Sequence, residues 1–205
     1  MKKLFAIIFG LCMLLGLTGN AQINLGLYFN PTRDFVINDA HRFNYSAGVK
    51  SDISVYRNFS IKAGLGYEHI YSDFSHIIYF APGNEFVYYK TDIIKTDCHI
   101  KFDFLNKSKG FSFYVFGGPT FNTSFHEWKG AKFSNITIES YKCRLSNVLI
   151  VGGLGYGWTV KNIIFIHIEP TYAKTVWNNK NIWPFLGNRV GLNVGLSYKF
   201  MKEDK

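Results

Sequence analysis

Hydrophobic and polar residues alternate with a period of two along most of the chain, the signature of strands with one apolar side. The last stretch is the most regular: Val190, Leu192, Val194, Leu196, Tyr198 and Phe200 fall on one face, and Arg189, Gly191, Asn193, Gly195, Ser197 and Lys199 on the other. Working from the other end, a first strand begins at Ile23 and sets Ile23, Leu25, Leu27 and Phe29 against Asn24, Gly26 and Tyr28. A loop over 30–42, rich in Pro31, Asp34, Asn38 and Asp39, leads to a second strand over 43–55. Only Tyr56-Arg57-Asn58 separates it from a third, over 59–71, which predicts a tight hairpin. Further strands are predicted over 94–104, 111–121, about 148–158 and 164–172, joined by short turns at 106–110 and 161–162. Long connections are predicted over 72–89, 122–144 and 173–187.

The pattern gives eight strands whose connections alternate long and short, the habit of barrels with short periplasmic turns and long external loops. Such a barrel is just wide enough for its own side chains to fill, which predicts no diffusion pore. Alternation alone does not say which face points inward, since a soluble lipocalin-like barrel holds its apolar side chains inside. Three features favour the reverse. The polar faces are rich in glycine, at 48, 64, 66, 153, 155, 157, 191 and 195, which suits a crowded lumen. They carry charges of both signs, Lys62 with Glu68, Asp97 with Lys101 and Glu169 with Arg189, positioned to pair inside. The apolar faces bear Tyr, Phe and Trp toward strand ends, as an aromatic girdle would. The expected fold is therefore all-β: an eight-stranded antiparallel up-and-down transmembrane β-barrel of the outer-membrane type, set in outer-membrane lipid.

The N-terminus adds an address. Lys2 and Lys3 precede an apolar run from Leu4 to Leu17, too short to span a membrane, and Gly19-Asn20-Ala21 supplies small residues for cleavage. A cleavable signal peptide is expected over 1–21, the barrel domain over 22–200, and a short polar tail over 201–205. The formal charge of +9 loses the two lysines with the signal and becomes +7. No Lys/Arg block or recognition motif accompanies this surplus, so nucleic acid is not expected as a partner. Cys98 and Cys143 are the only cysteines of the mature chain, too few to predict a disulfide framework.

The strongest catalytic candidate is His167 with Glu169, two apart on one strand and hence on one face, near the face carrying Asp97 and His99. A Ser-His-Glu arrangement would serve acyl transfer on a membrane lipid of the lipid A type. No serine has motif context, and lumenal packing accounts for these residues more simply: Lys62, Glu68, Asp97, His99, Lys101, His167, Glu169 and Arg189 form one expected internal polar network. His41, His69, His76 and His126 lack ligand spacing, so no metal or other cofactor is expected. His126 and Trp128, with Trp177 and Trp183, fall in predicted long loops and are candidate external contacts for glycan or a partner protein.

Two resemblances go beyond pattern. Asn193, Gly195, Tyr198 and Phe200 resemble, in their spacing, the C-terminal signal read by the bacterial outer-membrane assembly machinery, and the resemblance implies that machinery as a partner during biogenesis. Ala63-Gly64-Leu65-Gly66-Tyr67-Glu68, Phe116-Gly117-Gly118-Pro119, Gly153-Leu154-Gly155-Tyr156, Glu169-Pro170-Thr171-Tyr172 and Gly195-Leu196-Ser197-Tyr198-Lys199-Phe200 together are similar to the PorT-like outer-membrane β-barrel domain of Bacteroidetes. That resemblance covers nearly the whole mature chain. It implies an outer-membrane barrel of unassigned role and brings no catalytic residues; the expected function is a structural or interaction role, with a lipid A deacylase or acyltransferase and a secreted soluble binder of a hydrophobic ligand as alternatives.

Overall fold

Eight strands close into one antiparallel ring in a computed structural model that describes residues 23–35, 41–73, 87–104, 110–131, 137–161, 163–179 and 188–200. They are β1 (Ile23–Phe35), β2 (His41–Tyr56), β3 (Phe59–Asp73), β4 (Val87–Asp103), β5 (Phe111–Ala131), β6 (Thr137–Val160), β7 (Ile164–Asn178) and β8 (Asn188–Phe200). Each pairs with its neighbours in sequence, and β8 pairs with β1 from Ile23↔Phe200 to Phe35↔Asn188, so no strand edge is left open. Closure matters because an unpaired ladder cannot sit in hydrocarbon.

The faces sort as the alternation predicts, with polarity inverted relative to a soluble protein. Leu27 and Ile100 are 65% and 64% exposed, whereas Asp34, Glu68 and Glu169 are 0% exposed. The apolar positions of every strand thus cover the outside, and charged side chains fill the lumen. A soluble lipocalin-like barrel would bury those apolar faces, so this geometry removes that alternative.

Glycines on the inner faces make room for inward rings. A side chain at Gly153 would meet the Phe116 ring, one at Gly155 the Tyr114 ring, one at Gly157 the Phe165 ring, and one at Gly66 the Tyr28 hydroxyl. Tyr114, Phe116 and Phe165 pack together as a small apolar floor in the lumen.

The strands run further than the periodicity indicated. β5 continues to Ala131 and β6 begins at Thr137, so most of the segment expected as a loop over 122–144 is a hairpin extending past the apolar belt. β4 likewise begins at Val87 and β7 continues to Asn178. Bulges explain why the pattern was lost: the register shifts between Asp92 and Ile93, at Asn122/Thr123, between Ser124 and His126, and at Val148/Leu149. Each extra residue inverts the faces beyond it and ends the period-two signal. At the opposite end the turns are tight, with Arg57 and Lys161 at positive φ of 42° and 50°. The expected signal peptide, the C-terminal tail and Trp183 lie outside the described residues.

Candidate functional site

The lumen is the most organised polar region of the molecule. Glu169 sits between the outward Ile168 and Pro170 on β7, and strand alternation sends its carboxylate inward. There it accepts from Lys62 and from Asn193 Nδ2, from Lys50 Nζ at 3.2 Å and from Tyr114 Oη at 2.6 Å. Lys101 Nζ lies 3.3 Å from Asp52 Oδ2 and 3.6 Å from Asp103 Oδ1, and Ser112 Oγ donates to Asp103 at 2.7 Å. The ammonium groups also stand over the aromatic floor, Lys62 4.4 Å from the Phe116 ring centre and Lys101 4.1 Å from that of Tyr114.

A second group lies nearer the outer end. Arg189 Nε reaches Asp34 Oδ1 at 2.6 Å and Arg189 Nη1 donates to Glu68 Oε1 at 2.9 Å, so one guanidinium bridges two buried carboxylates. Lys95 Nζ lies 3.7 Å from Glu68, and Asn44 Nδ2 donates to Asp34 at 2.9 Å. Between the two groups Thr120 Oγ1 donates to Asp97 at 2.7 Å, with His99 Nε2 3.1 Å from the same hydroxyl. A cavity of about 40 Å³ remains there, lined by polar side chains such as Tyr28, Lys50, His99 and Asn193 and by apolar ones such as Phe116, Leu149 and Val151. Its size suits a few water molecules.

All eight residues expected in the network face the lumen, but the partners differ from those expected. Lys62 meets Glu169 instead of Glu68, Arg189 meets Glu68 and Asp34 instead of Glu169, and Lys101 meets Asp52 and Asp103 instead of Asp97. Asp34, Lys50, Asp52, Lys95 and Asp103 also join the network. Alternation on the polar faces signals Lys50, Asp52, Lys95 and Asp103, whereas Asp34 falls in the segment expected as a loop and joins the wall because β1 continues to Phe35.

His167 and Glu169 do not form a relay. The His167 ring stacks on Phe165 at 5.7 Å between centres, and neither ring nitrogen has a hydrogen-bond partner. Ser197, the serine on the same part of the wall, donates to the Phe165 carbonyl at 3.4 Å. Among the described residues no group of His, Cys, Asp and Glu is arranged to hold a metal ion.

The candidate external contacts stand on strands, a correction to their placement in loops. His126 and Trp128 belong to the β5 extension and Trp177 to the end of β7, where it is 45% exposed. His126 is nearly buried, stacked on Tyr141 at 3.9 Å between ring centres. Its Nδ1 lies 3.4 Å from Asp92 Oδ2, while Asp92 Oδ1 takes a hydrogen bond from Tyr67 Oη at 2.5 Å and lies 2.7 Å from His69 Nδ1. Asp92 alternates with the inward Thr91 and Ile93, so this cluster is on the outer side of the wall.

The outward faces define a belt. Counting up from the tight turns, the described outward residues include no Asp, Glu, Lys, Arg or His until Arg33, His69, Lys174 and the Lys90/Asp92 pair. Arg33, His69 and Lys174 stand ten residues past Ile23, Phe59 and Ile164, the first residues of their strands. That is the length of a tilted strand crossing a bilayer, about 9–11 residues.

No protein-family model matches the sequence, and no curated protein does. Solved structures do match. A major outer membrane protein from Thermus thermophilus superposes with a TM-score of 0.59 at 9% identity, over 89% of this chain and all (100%) of that one. The outer membrane protein OprG from Pseudomonas aeruginosa gives 0.52 at 11%, over 92% and 99% of the two chains. Neisserial surface protein A (NspA) gives 0.52 at 11%, over 89% and 98%. At such identities the likeness concerns the fold, and together with the closed ring it establishes an eight-stranded β-barrel of the outer-membrane type.

Proposed function

We propose that the protein is a small, closed outer-membrane barrel with a structural or interaction role, anchored by its apolar belt and making contacts through its outer strands and loops. The observation that carries this reading is the belt itself: a ring of outward apolar side chains, free of charge over one bilayer thickness, around a lumen filled with paired charges. Among the described residues, side chains fill an eight-stranded lumen around a cavity of about 40 Å³, so transport is not part of the reading. The short segments from Ala63-Gly64-Leu65-Gly66 to Ser197-Tyr198-Lys199-Phe200 support membership of the PorT-like group of Bacteroidetes barrels. Asn193, Gly195, Tyr198 and Phe200 lie on the closing strand, with Tyr198 and Phe200 outward and 51% exposed, where an assembly factor would reach them. Secretion by a signal peptide over 1–21 belongs to the same reading.

No reaction is included. A lipid-modifying enzyme would need its base and nucleophile at the lipid-facing rim, and His167 is enclosed in the lumen with no serine hydroxyl bonded to it.

The test is fractionation of the expressed protein, then gel mobility with and without boiling. Recovery in the outer membrane with a heat-dependent shift is the expected result; a soluble protein of fixed mobility would refute the reading. Lipid A mass profiles from cells with and without the protein are expected to be identical, and a mass shift would restore the enzymatic alternative.

A further inference from the structure

The lumen consumes little of the chain's positive surplus. Lys50, Lys62, Lys95, Lys101 and Arg189 face Asp34, Asp52, Glu68, Asp97, Asp103 and Glu169, five cations against six carboxylates, so these lumenal groups hold none of the +7 expected for the mature chain. At the outer edge of the belt two sectors differ. On β3 to β5 the edge carries the Asp92 carboxylate, which His69, His126 and Tyr67 surround. On β7, β8 and β1 it carries Lys174, Asn188 and Arg33, all exposed, with no carboxylate among the described outward residues of those strands. Neither Arg33 nor Lys174 makes an ion pair with any described residue.

Register places these three donors together. Arg33 pairs with Val190, and Val190 pairs with Tyr172, which puts the three in one row across adjacent strands. Lys174 is two residues above Tyr172 on the same face. Asn188, two residues above Val190, lies between the two cations; it pairs with Phe35 on β1. With strands about 4.8 Å apart and about 3.3 Å per residue, the Arg33 and Lys174 Cα atoms are roughly 12 Å apart. Both side chains are long enough to converge on one group set over Val190. Tyr172 and Val190, 50% and 39% exposed, form an apolar ledge directly below the donors. A fork of guanidinium donors, an ammonium and an amide above an apolar ledge matches a phosphate attached to acyl chains.

We infer that Arg33, Asn188 and Lys174 form a binding site for the phosphate of an anionic glycolipid in the outer leaflet, with its acyl chains against Tyr172 and Val190. The inference rests on the membrane reading above. The β3–β5 sector differs in carrying the Asp92 carboxylate beside Lys90.

The test is titration of the full-length protein, refolded in zwitterionic micelles, with lipid A, with enzymatically dephosphorylated lipid A and with inorganic phosphate. Parallel titrations use R33Q/K174Q and a charge-matched control at the opposite rim, R57Q/K161Q. Heat-dependent mobility verifies that each variant is a closed barrel, so failure of the fold is separate from failure of the site. The expected result is binding of lipid A that falls about tenfold in R33Q/K174Q, as loss of a charge-assisted contact predicts. R57Q/K161Q should bind as the parent does. Equal affinity for dephosphorylated lipid A, equal binding by R33Q/K174Q, or an equal loss in R57Q/K161Q would overturn the inference. Inorganic phosphate binding as tightly as lipid A would overturn the lipid as its source.

Discussion

Arg189 and Glu68 are 121 residues apart in sequence and bonded at 2.9 Å across the lumen, with Asp34 on the other side of the same guanidinium. Both residues are essentially inaccessible, so each charge depends on the other for its solvation. Replacing Arg189 by Met leaves Glu68 and Asp34 buried with less compensation and is expected to cost about 3–5 kcal/mol. The doubly substituted E68Q/R189Q barrel should recover part of that loss. Urea unfolding of the refolded barrel, followed by mobility shift, measures both.

The belt predicts a dependence on depth. Leu196 is 52% exposed near the middle of the apolar face of β8, and Val190 lies at its outer edge. In a bilayer Leu196→Arg should cost about 2–4 kcal/mol and Val190→Arg about 0–1 kcal/mol. Equal and small costs at the two sites would mean that the outer face meets water.

Glycine and ring occupy one space inside the wall. A side chain at Gly157 would run into the Phe165 ring. Gly157→Val is expected to destabilise the barrel by about 1–3 kcal/mol, the usual penalty for overpacking. Adding Phe165→Val should relieve much of it, and a double-mutant cycle on refolded protein measures the coupling.

Arg57 and Lys161 hold positive φ in the tight turns of the β2–β3 and β6–β7 hairpins. Glycine takes such angles without the steric cost that a side chain meets. Arg57→Gly and Lys161→Gly are each expected to be neutral or to stabilise by up to about 1 kcal/mol, read from the same unfolding curves.

Cys143 is exposed on the β6 extension, and Cys98 is partly covered on the outward face of β4. A membrane-impermeant maleimide applied to intact cells should label Cys143 and spare Cys98. Labelling that requires cell rupture would mean that this end of the barrel faces inward.

The sequence by itself determined the strands within the membrane and their inner and outer faces, because a period of two is a local property of the backbone and each face meets one solvent along its length. Leu196 and Asn193 needed no partner to be assigned. It also indicated an inside-out barrel, since Gly153, Gly155 and Gly157 beside mixed charges make sense only in a crowded interior. Tertiary structure alone decided which charges pair. Lys62 finds Glu169, 107 residues away, because ring closure and strand tilt set who stands opposite whom across the lumen, and neither is written in local spacing. It alone decided as well that His126, Trp128 and Trp177 ride on strands: beyond the belt no hydrocarbon enforces alternation, and the bulges near Asp92, Ser124 and Val148 scramble the pattern while the ladder continues. The placing of Arg33 and Lys174 on either side of β8 belongs to the same class, since it exists only once β8 joins β1 and β7 in a closed ring.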